Sequence, residues 1–297
     1  MQGEAQVRAW VEYFRDIGVH DFYRRGEPAP QAASEANAAS ATMSAATIST
    51  EGDAAVAVER GGPLADEAAP TPQIAGTLFM SPPDRLISFN ELAPVPQDVI
   101  PAAEREAALR AIQQEIGDCT RCPLAYAGRH KIVFGDGPAT ARLMFVGEGP
   151  GADEDAQGLP FVGKAGQLLN NMIGAMGLAR AEVYIANIVK CRPPGNRVPE
   201  PTEANTCAQF LLRQIDVLRP EAIVALGATA ATYLLGVKQS LGSLRGRWHR
   251  CRGAKLAVTY HPAFLLRDPR QKVEAWKDLQ MVMRELGLTP PTPKKNA

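Results

Sequence analysis

Beyond residue 102 the chain alternates two kinds of apolar pattern. Short aliphatic and β-branched runs lie at Leu143–Gly147, Val183–Val189, Ala222–Gly227 and Leu256–Tyr260, and each runs into turn-forming residues. Between them, apolar residues recur at helical spacing over 103–116, Ala165–Met176, Thr202–Leu218, Thr229–Leu235 and Lys272–Leu286. Strands that are apolar throughout, rather than at alternate positions, are covered on both faces. The pattern therefore predicts an α/β fold with a mainly parallel central sheet flanked by helices on both faces. Ligands of such sheets bind at the carboxyl ends of the strands, and every unusual motif of this chain falls at one of those ends.

Upstream the pattern changes. Val7, Trp10, Val11, Phe14 and Ile17 share one helical face, continued by Val19, Phe22 and Tyr23, so residues 1–26 read as an amphipathic helical extension. That apolar face is expected to dock on the same domain, with an unidentified partner protein as the alternative. Residues 27–100 are rich in Ala, Pro, Ser, Glu and Gly, their apolar residues too scattered for a core, and are expected to form a disordered linker. The globular domain is then expected at 101–288, with a flexible tail at 289–297.

The formal net charge of zero over 297 residues conceals a division. From Glu104 onward there are 26 Lys and Arg against 18 Asp and Glu, and before it 6 against 14. A basic domain thus trails an acidic arm, which suits a polyanionic partner for the domain and leaves the partner of the arm unknown. No run reaches the ~18–20 apolar residues of a membrane span, and the N-terminus lacks a basic-then-apolar leader. A cytoplasmic monomer is the expectation.

In that compartment thiols stay reduced, which bears on the cysteines. Cys119 and Cys122 form a C-x-x-C pair, and Cys191 and Cys207 follow far downstream with fifteen residues between them. A turn can point the thiolates of such a pair inward, but a complete site needs two more soft ligands. Zinc sites usually draw these from a second close pair, whereas a four-cysteine iron-sulfur cluster tolerates the uneven layout. Small buried core residues are the alternative for Cys191 and Cys207. Cys251, in a basic segment, is left over.

The first strand runs into Gly147-Glu148-Gly149-Pro150-Gly151 and then Asp153-Glu154-Asp155. Three glycines and a proline make a rigid turn that brings backbone N–H groups close to a ligand, and the acids beside it are candidates to activate water. A phosphate loop is disfavoured, because the Gly-Lys-Ser/Thr ending is missing and the acids would repel phosphate. Downstream, Gly158-Leu159-Pro160-Phe161-Val162-Gly163 sets one aromatic ring in a loop, as a stacking platform for a planar ligand or as ordinary packing. The second strand places Asn187 ahead of Lys190-Cys191-Arg192-Pro193-Pro194-Gly195-Asn196-Arg197. Its amide can both donate and accept, which suits reading a base edge, although a cap or turn role is common for Asn. The last strand delivers Tyr260-His261-Pro262-Ala263-Phe264-Leu265-Leu266-Arg267, where His261 is placed either to stabilise a developing oxyanion or to cap the next turn.

Taken together, these stretches resemble the type 4, iron-sulfur branch of the uracil-DNA glycosylase superfamily. The resemblance covers about Cys119 to Leu286 and rests on four long motifs in order, G-E-G-P-G-x-x-E-D, G-x-P-F-V-G-K-A-G-Q-L-L, N-I-V-K-C-R-P-P-G-N-R-x-P and H-P-A-x-L-L-R, together with the cysteine spacing. It implies a uracil-DNA glycosylase that hydrolyses the N-glycosidic bond of uracil in DNA. Cys119, Cys122, Cys191 and Cys207 match the ligands of a 4Fe-4S cluster, taken in the family as mainly structural. Phe161 matches the ring that stacks on uracil, Asn187 the amide that reads its polar edge, and His261 the group facing O2. Gly149, Pro150 and Gly151 line the pocket, and Glu148 and Glu154 match acids of the first motif.

The sequence departs from the superfamily's best-known member, which carries an aspartate where this chain has Gly149. Glu154 is therefore the expected acid for positioning water or steadying the oxocarbenium ion. Gly195–Pro199 lacks the histidine of a DNA-trapping relative, so turnover rather than capture is expected. Phe264, Leu265 or Leu266 would fill the gap left by a flipped base, while Arg192, Arg197 and Arg267 hold phosphates. Thymine should clash at its C5 edge, and cytosine should present the wrong polar edge to Asn187. The alternatives are a non-catalytic iron-sulfur nucleic-acid-binding module of the same fold and a zinc hydrolase.

Overall fold

The structure, a computed structural model, describes residues 86–289. The expectations for the N-terminal helix, for the linker up to residue 85 and for the tail from residue 290 lie outside the described residues. Within them, strands β1 (Leu143–Gly147), β2 (Tyr184–Asn187), β3 (Ala222–Leu226), β4 (His249–Cys251) and β5 (Ala254–Thr259) form one sheet in the order β2-β1-β3-β5-β4. The first four of these in spatial order are parallel, and β4 adds an antiparallel edge against β5. The predicted mainly parallel sheet is present, and β4 is the addition. Its three residues include an exposed arginine and a half-buried histidine, so no apolar run marked it in the sequence.

The three strands β1, β2 and β3 are buried throughout. Met144, Val146, Ile223, Ala225, Leu256 and Val258 enter one core, whereas Leu143, Phe145, Val224, Leu226 and Ala257 enter the other. That alternation is the strand's period of two, read out on two buried faces. The first core is closed by α2 (Ala102–Ile116), α5 (Pro201–Leu218) and α6 (Ala228–Leu235). The second is closed by α4 (Lys164–Ala175) and α9 (Lys272–Leu286). Shorter helices α1 (Phe89–Leu92), α3 (Ala152–Gln157), α7 (Leu241–Leu244) and α8 (Pro262–Arg267) follow loops or strand ends. No helix among the described residues is long and apolar enough to cross a membrane.

From β1 the chain first moves outward to β2 and later returns to the opposite side of β1 to form β3. That reversal opens a crevice at the carboxyl end of β1, where ligands of doubly wound sheets bind. Gly147, Asn187, Gly227 and His261 all lie at or just beyond carboxyl ends in this part of the sheet.

The packed chain starts before the boundary expected at Pro101. Phe89 is 1% exposed within the first core. The Arg252 guanidinium, itself paired with Asp216 at 2.5 and 2.7 Å, donates to the carbonyls of Phe89 at 3.1 Å, of Pro94 at 3.0 Å and of Ala93. Arg219 reaches the carbonyls of Asp98, at 3.1 Å, and Pro96. Phe89, with Leu86, Leu92 and Ile100 packed beside it, and a set of backbone carbonyls hold this strap, and its polar, Pro-containing composition hid them. Phe89→Ala is expected to lower unfolding free energy by ~3–5 kcal/mol in urea titrations. A loss below ~1 kcal/mol would detach the strap from the cooperative unit.

Candidate active site and cysteine site

At the carboxyl end of β1 two side chains occupy the space that a side chain at residue 147 would need. A Cβ on Gly147 would lie 2.5 Å from Asn187 Oδ1 and 2.6 Å from Phe161 Cζ. The ring and the amide therefore meet over bare backbone. His261 completes the group, its ring centroid 5.6 Å from that of Phe161. Asn187 is 1% exposed, and its Oδ1 has no hydrogen-bond partner. A buried acceptor without a donor is costly.

Phe161 is held in place at a cost. Its φ is +53°, a left-handed conformation uncommon for an aromatic residue. Arg180 donates to the Phe161 carbonyl at 3.0 Å and the Pro160 carbonyl at 2.6 Å, and is itself paired with Asp136 at 3.2 Å. A Cβ on Gly166 would lie 1.9 Å from that same Phe161 carbonyl, so α4 can press on the loop only because residue 166 is glycine. No sequence signal marks Arg180. It stands outside every motif, in the short turn before β2.

His261 caps α8: its Nδ1 accepts from the Ala263 N–H at 3.1 Å. The neutral ring therefore carries its proton on Nε2, free to donate. Burial, and secondly the charge of Arg267, depress its pKa from the usual 6.5 to about 4, against a smaller opposing pull from Glu154. The two readings open for this histidine, cap and oxyanion donor, are thus compatible, since capping sets the tautomer.

Glu154 is held by backbone donors. Its carboxylate accepts from the backbone N–H groups of Val162 at 2.9 Å, Gly163 at 3.0 Å and Gly151 at 3.1 Å. It staples the Gly149-Pro150-Gly151 turn to the Phe161 loop. Those bonds occupy most of its lone pairs, so it is poorly placed to take a proton from water, although its negative charge remains. Glu148, half-buried, accepts from the Thr229 hydroxyl at 2.5 Å across the β1–β3 crevice. Asp155, 1% exposed, faces away: burial opposes its ionisation, but bonds from the His130 ring at 2.6 Å and from backbone N–H groups outweigh this and keep its pKa low.

The expected DNA-contacting residues divide. Leu265 is 1% exposed inside the second core, so it cannot enter a duplex. Phe264 is partly buried and stacks on Tyr260, with centroids 5.1 Å apart. Leu266, one position beyond Leu265, is 45% exposed, and Arg267 is exposed beside it. Three consecutive helical residues point in directions about 100° apart, and only packing decides which is outward. Arg197 is also committed: its guanidinium grips the fully enclosed Glu203 carboxylate at 2.6 and 2.8 Å, and this fork, against the cost of burial, holds Glu203 below the usual carboxylate range. Arg197 thereby fastens its loop to α5. Arg192 bonds to Asn196, at 2.8 Å, and is half-buried.

The four singled-out cysteines line one small cavity, with Ile116, Ile132 and Phe210 among its walls. Cys251 lies elsewhere in the core, fully buried, its thiol pushed up to about 12 by burial. Three N–H groups point at the site's sulfurs: Lys190 N at 3.3 Å from Cys207, Arg129 at 3.2 Å from Cys191 and Arg121 at 3.3 Å from Cys119. Burial pushes Cys207 to about 12 as a free thiol. The donors would favour anionic sulfur once a positive group is bound. No trio of His, Cys, Asp or Glu among the described residues is arranged to hold a single metal ion. Four thiols are a donor set that can hold an iron-sulfur cluster.

Buried Lys190, whose pKa burial lowers to about 8, joins the two regions. Its Nζ donates to the Asn187 carbonyl at 3.1 Å and to Gln214 at 2.7 Å.

Comparison with known proteins agrees with this geometry. Residues 134–280 match the uracil DNA glycosylase superfamily. A type-4 uracil-DNA glycosylase of Thermotoga maritima is 45% identical over 168 residues, covering 55% of this chain and 86% of that protein. One from Pyrobaculum aerophilum is 41% identical over 181 residues, covering 58% and 92%. A type-5 uracil-DNA glycosylase of the latter organism is 29% identical over 180 residues, covering 49% and 78%. The chain belongs to the uracil-DNA glycosylase superfamily and, within it, to the type 4 branch.

The depressed His261 pKa has a sign that can be checked. Between about 4 and the ordinary 6.5 the unfolded chain binds a proton that the folded chain refuses, so this residue's contribution to stability falls as pH drops through that window. In NMR titrations His261 should stay neutral through pH 5 and titrate near 4. His261→Gln should flatten the stability slope over the window.

Proposed function

We propose that this protein flips uracil out of DNA and hydrolyses its N-glycosidic bond, leaving an abasic site for base excision repair. The meeting of Phe161 and Asn187 over Gly147, with the His261 ring 5.6 Å from that of Phe161, carries the reading. A flat ring, an amide with an orphan acceptor and a neutral imidazole with a free Nε2–H match the face, the edge and the oxygen of one pyrimidine.

The chemistry follows from these groups. Phe161 stacks on the extruded base. Asn187 Oδ1 accepts the N3–H of uracil while its amide nitrogen donates to the neighbouring carbonyl; cytosine lacks that N–H. As the bond to the sugar breaks, electrons move onto the base and charge accumulates on its oxygens. Nε2–H of His261 donates to the developing anion, a placement of the kind worth ~3–4 kcal/mol. Because His261 is neutral, the leaving base departs as an anion rather than taking a proton from an imidazolium. The negative charge of Glu154 steadies the oxocarbenium ion, and Glu148, oriented by Thr229, is the better candidate to position water. Leu266 enters the stack where uracil leaves, with Arg267 and Arg192 as phosphate contacts.

Cys119, Cys122, Cys191 and Cys207 would hold a 4Fe-4S cluster, which supplies a cross-link between the loop before β1, the segment after β2 and α5. Cysteine ligation suits the reducing cytoplasm. A non-catalytic module of the same fold is not favoured, since the groups that reading would have lost are all present.

Single-turnover cleavage of oligonucleotides carrying U, T, C or hypoxanthine tests the assignment. Asn187→Asp should slow uracil release on the order of 100-fold, because a second buried acceptor replaces a donor. His261→Ala should slow release from every substrate without changing base preference. Near-normal uracil release by Asn187→Asp would remove it from edge recognition. Replacing any of the four site cysteines by Ala should lower iron content and soluble yield, whereas Cys251→Ala should leave iron unchanged; equal iron loss from Cys251→Ala would mean that a different set of thiols holds the cluster.

A further inference from the structure

A chain of contacts runs from the second core to the tip of α8 and takes no part in binding the base. Asp278, 2% exposed on α9, accepts from Arg245 Nε at 2.7 Å. The Arg245 side chain is only 10% exposed, and its guanidinium carbon lies 4.1 Å from the centre of the Tyr260 ring. Tyr260 in turn stacks on Phe264 at 5.1 Å, with 24° between the ring planes. Four residues from four segments thus form one column: α9, the end of α7, the end of β5 and α8.

The column ends beside the two exposed residues of α8, Leu266 and Arg267. That helix is only six residues long, and its N-cap is His261, whose orientation the chemistry needs. A helix this short gains little stability from its own hydrogen bonds and depends on what packs against it. Pushing Leu266 between stacked bases loads the helix from outside. Leu265 braces it from below within the second core, and the Phe264 ring braces it from the side.

We propose that Asp278, Arg245, Tyr260 and Phe264 form a positioning column that holds α8 rigid against the base stack, so that Arg245 and Tyr260 govern extrusion of uracil from duplex DNA rather than bond cleavage. The inference rests on Leu266 as the inserting residue. It gives a specific role to Phe264, which serves as the brace and not as the wedge. Arg is suited to the position because its flat guanidinium can bond in plane to Asp278 while its face covers Tyr260, a combination that Lys cannot reproduce.

The test compares single-turnover uracil release from three DNAs: uracil paired with adenine in a duplex, uracil opposite guanine, and uracil in a single strand. Tyr260→Leu removes the middle ring and keeps the Arg245–Asp278 pair, so folding is expected to survive; circular dichroism and thermal melting check it. Release from the adenine-paired duplex should fall roughly tenfold, in keeping with the loss of one ring stack and one cation–π contact. The loss should be smaller opposite guanine, and the single-strand rate should stay within about twofold. Tyr260→Phe should restore the duplex rate, and Arg245→Lys should show a partial, duplex-selective loss. Equal losses on duplex and single strand, or no loss on either, overturn the proposal. Failure of the unaltered chain to release uracil from any of the three would instead overturn the glycosylase reading itself.

Discussion

Gly147 sets the constraint on which the site depends. Two side chains from different parts of the chain come so close to its α-carbon that any side chain there would collide with both. A ring and an amide edge can share one base only if they approach the same point from different directions. Bare backbone at the end of the first strand leaves that point open. Much of the surrounding structure then acts to keep Phe161 and Asn187 from relaxing into the space. Arg180 fixes the carbonyls of the aromatic loop, Glu154 takes up its N–H groups, and Lys190 bonds the strand end that carries Asn187.

These braces share a logic. Each is a charged side chain committed to backbone carbonyls or N–H groups rather than to substrate, where charge-assisted bonds are stronger than neutral ones. Arg219 and Arg252 do the same farther away, fastening the N-terminal strap to the domain, while Arg197 fastens its loop to α5 through the Glu203 carboxylate. The excess of basic residues in the domain is therefore only partly a surface for polyanions. A share of it is internal scaffolding, and net charge cannot distinguish the two uses.

The same ambiguity explains where structure and expectation part. Glu154 lies in an acidic motif beside the site, and the motif does not tell whether its oxygens face a water or three N–H groups. Arg197 stands among residues suited to DNA, yet Glu203, one helical turn before Cys207, captures it. In α8 the candidates for insertion are Phe264, Leu265 and Leu266, and a run of adjacent apolar residues does not reveal its outward member. The strap at 86–100 reads as linker because one buried phenylalanine among prolines and acids does not register as a core.

The sequence by itself determined the alternation of buried strands and helices, the placing of motifs at strand ends, and the set of four cysteines. These are local or additive signals, carried by hydrophobic period, turn residues and spacing. Tertiary structure decided which charged groups face each other, which tautomer His261 holds, which leucine is exposed and where the packed chain begins. Those outcomes depend on contacts between residues far apart in the chain, such as Arg180 with Phe161 or Arg252 with Phe89. Such contacts exist only after the sheet has brought the segments together, and no local pattern encodes them.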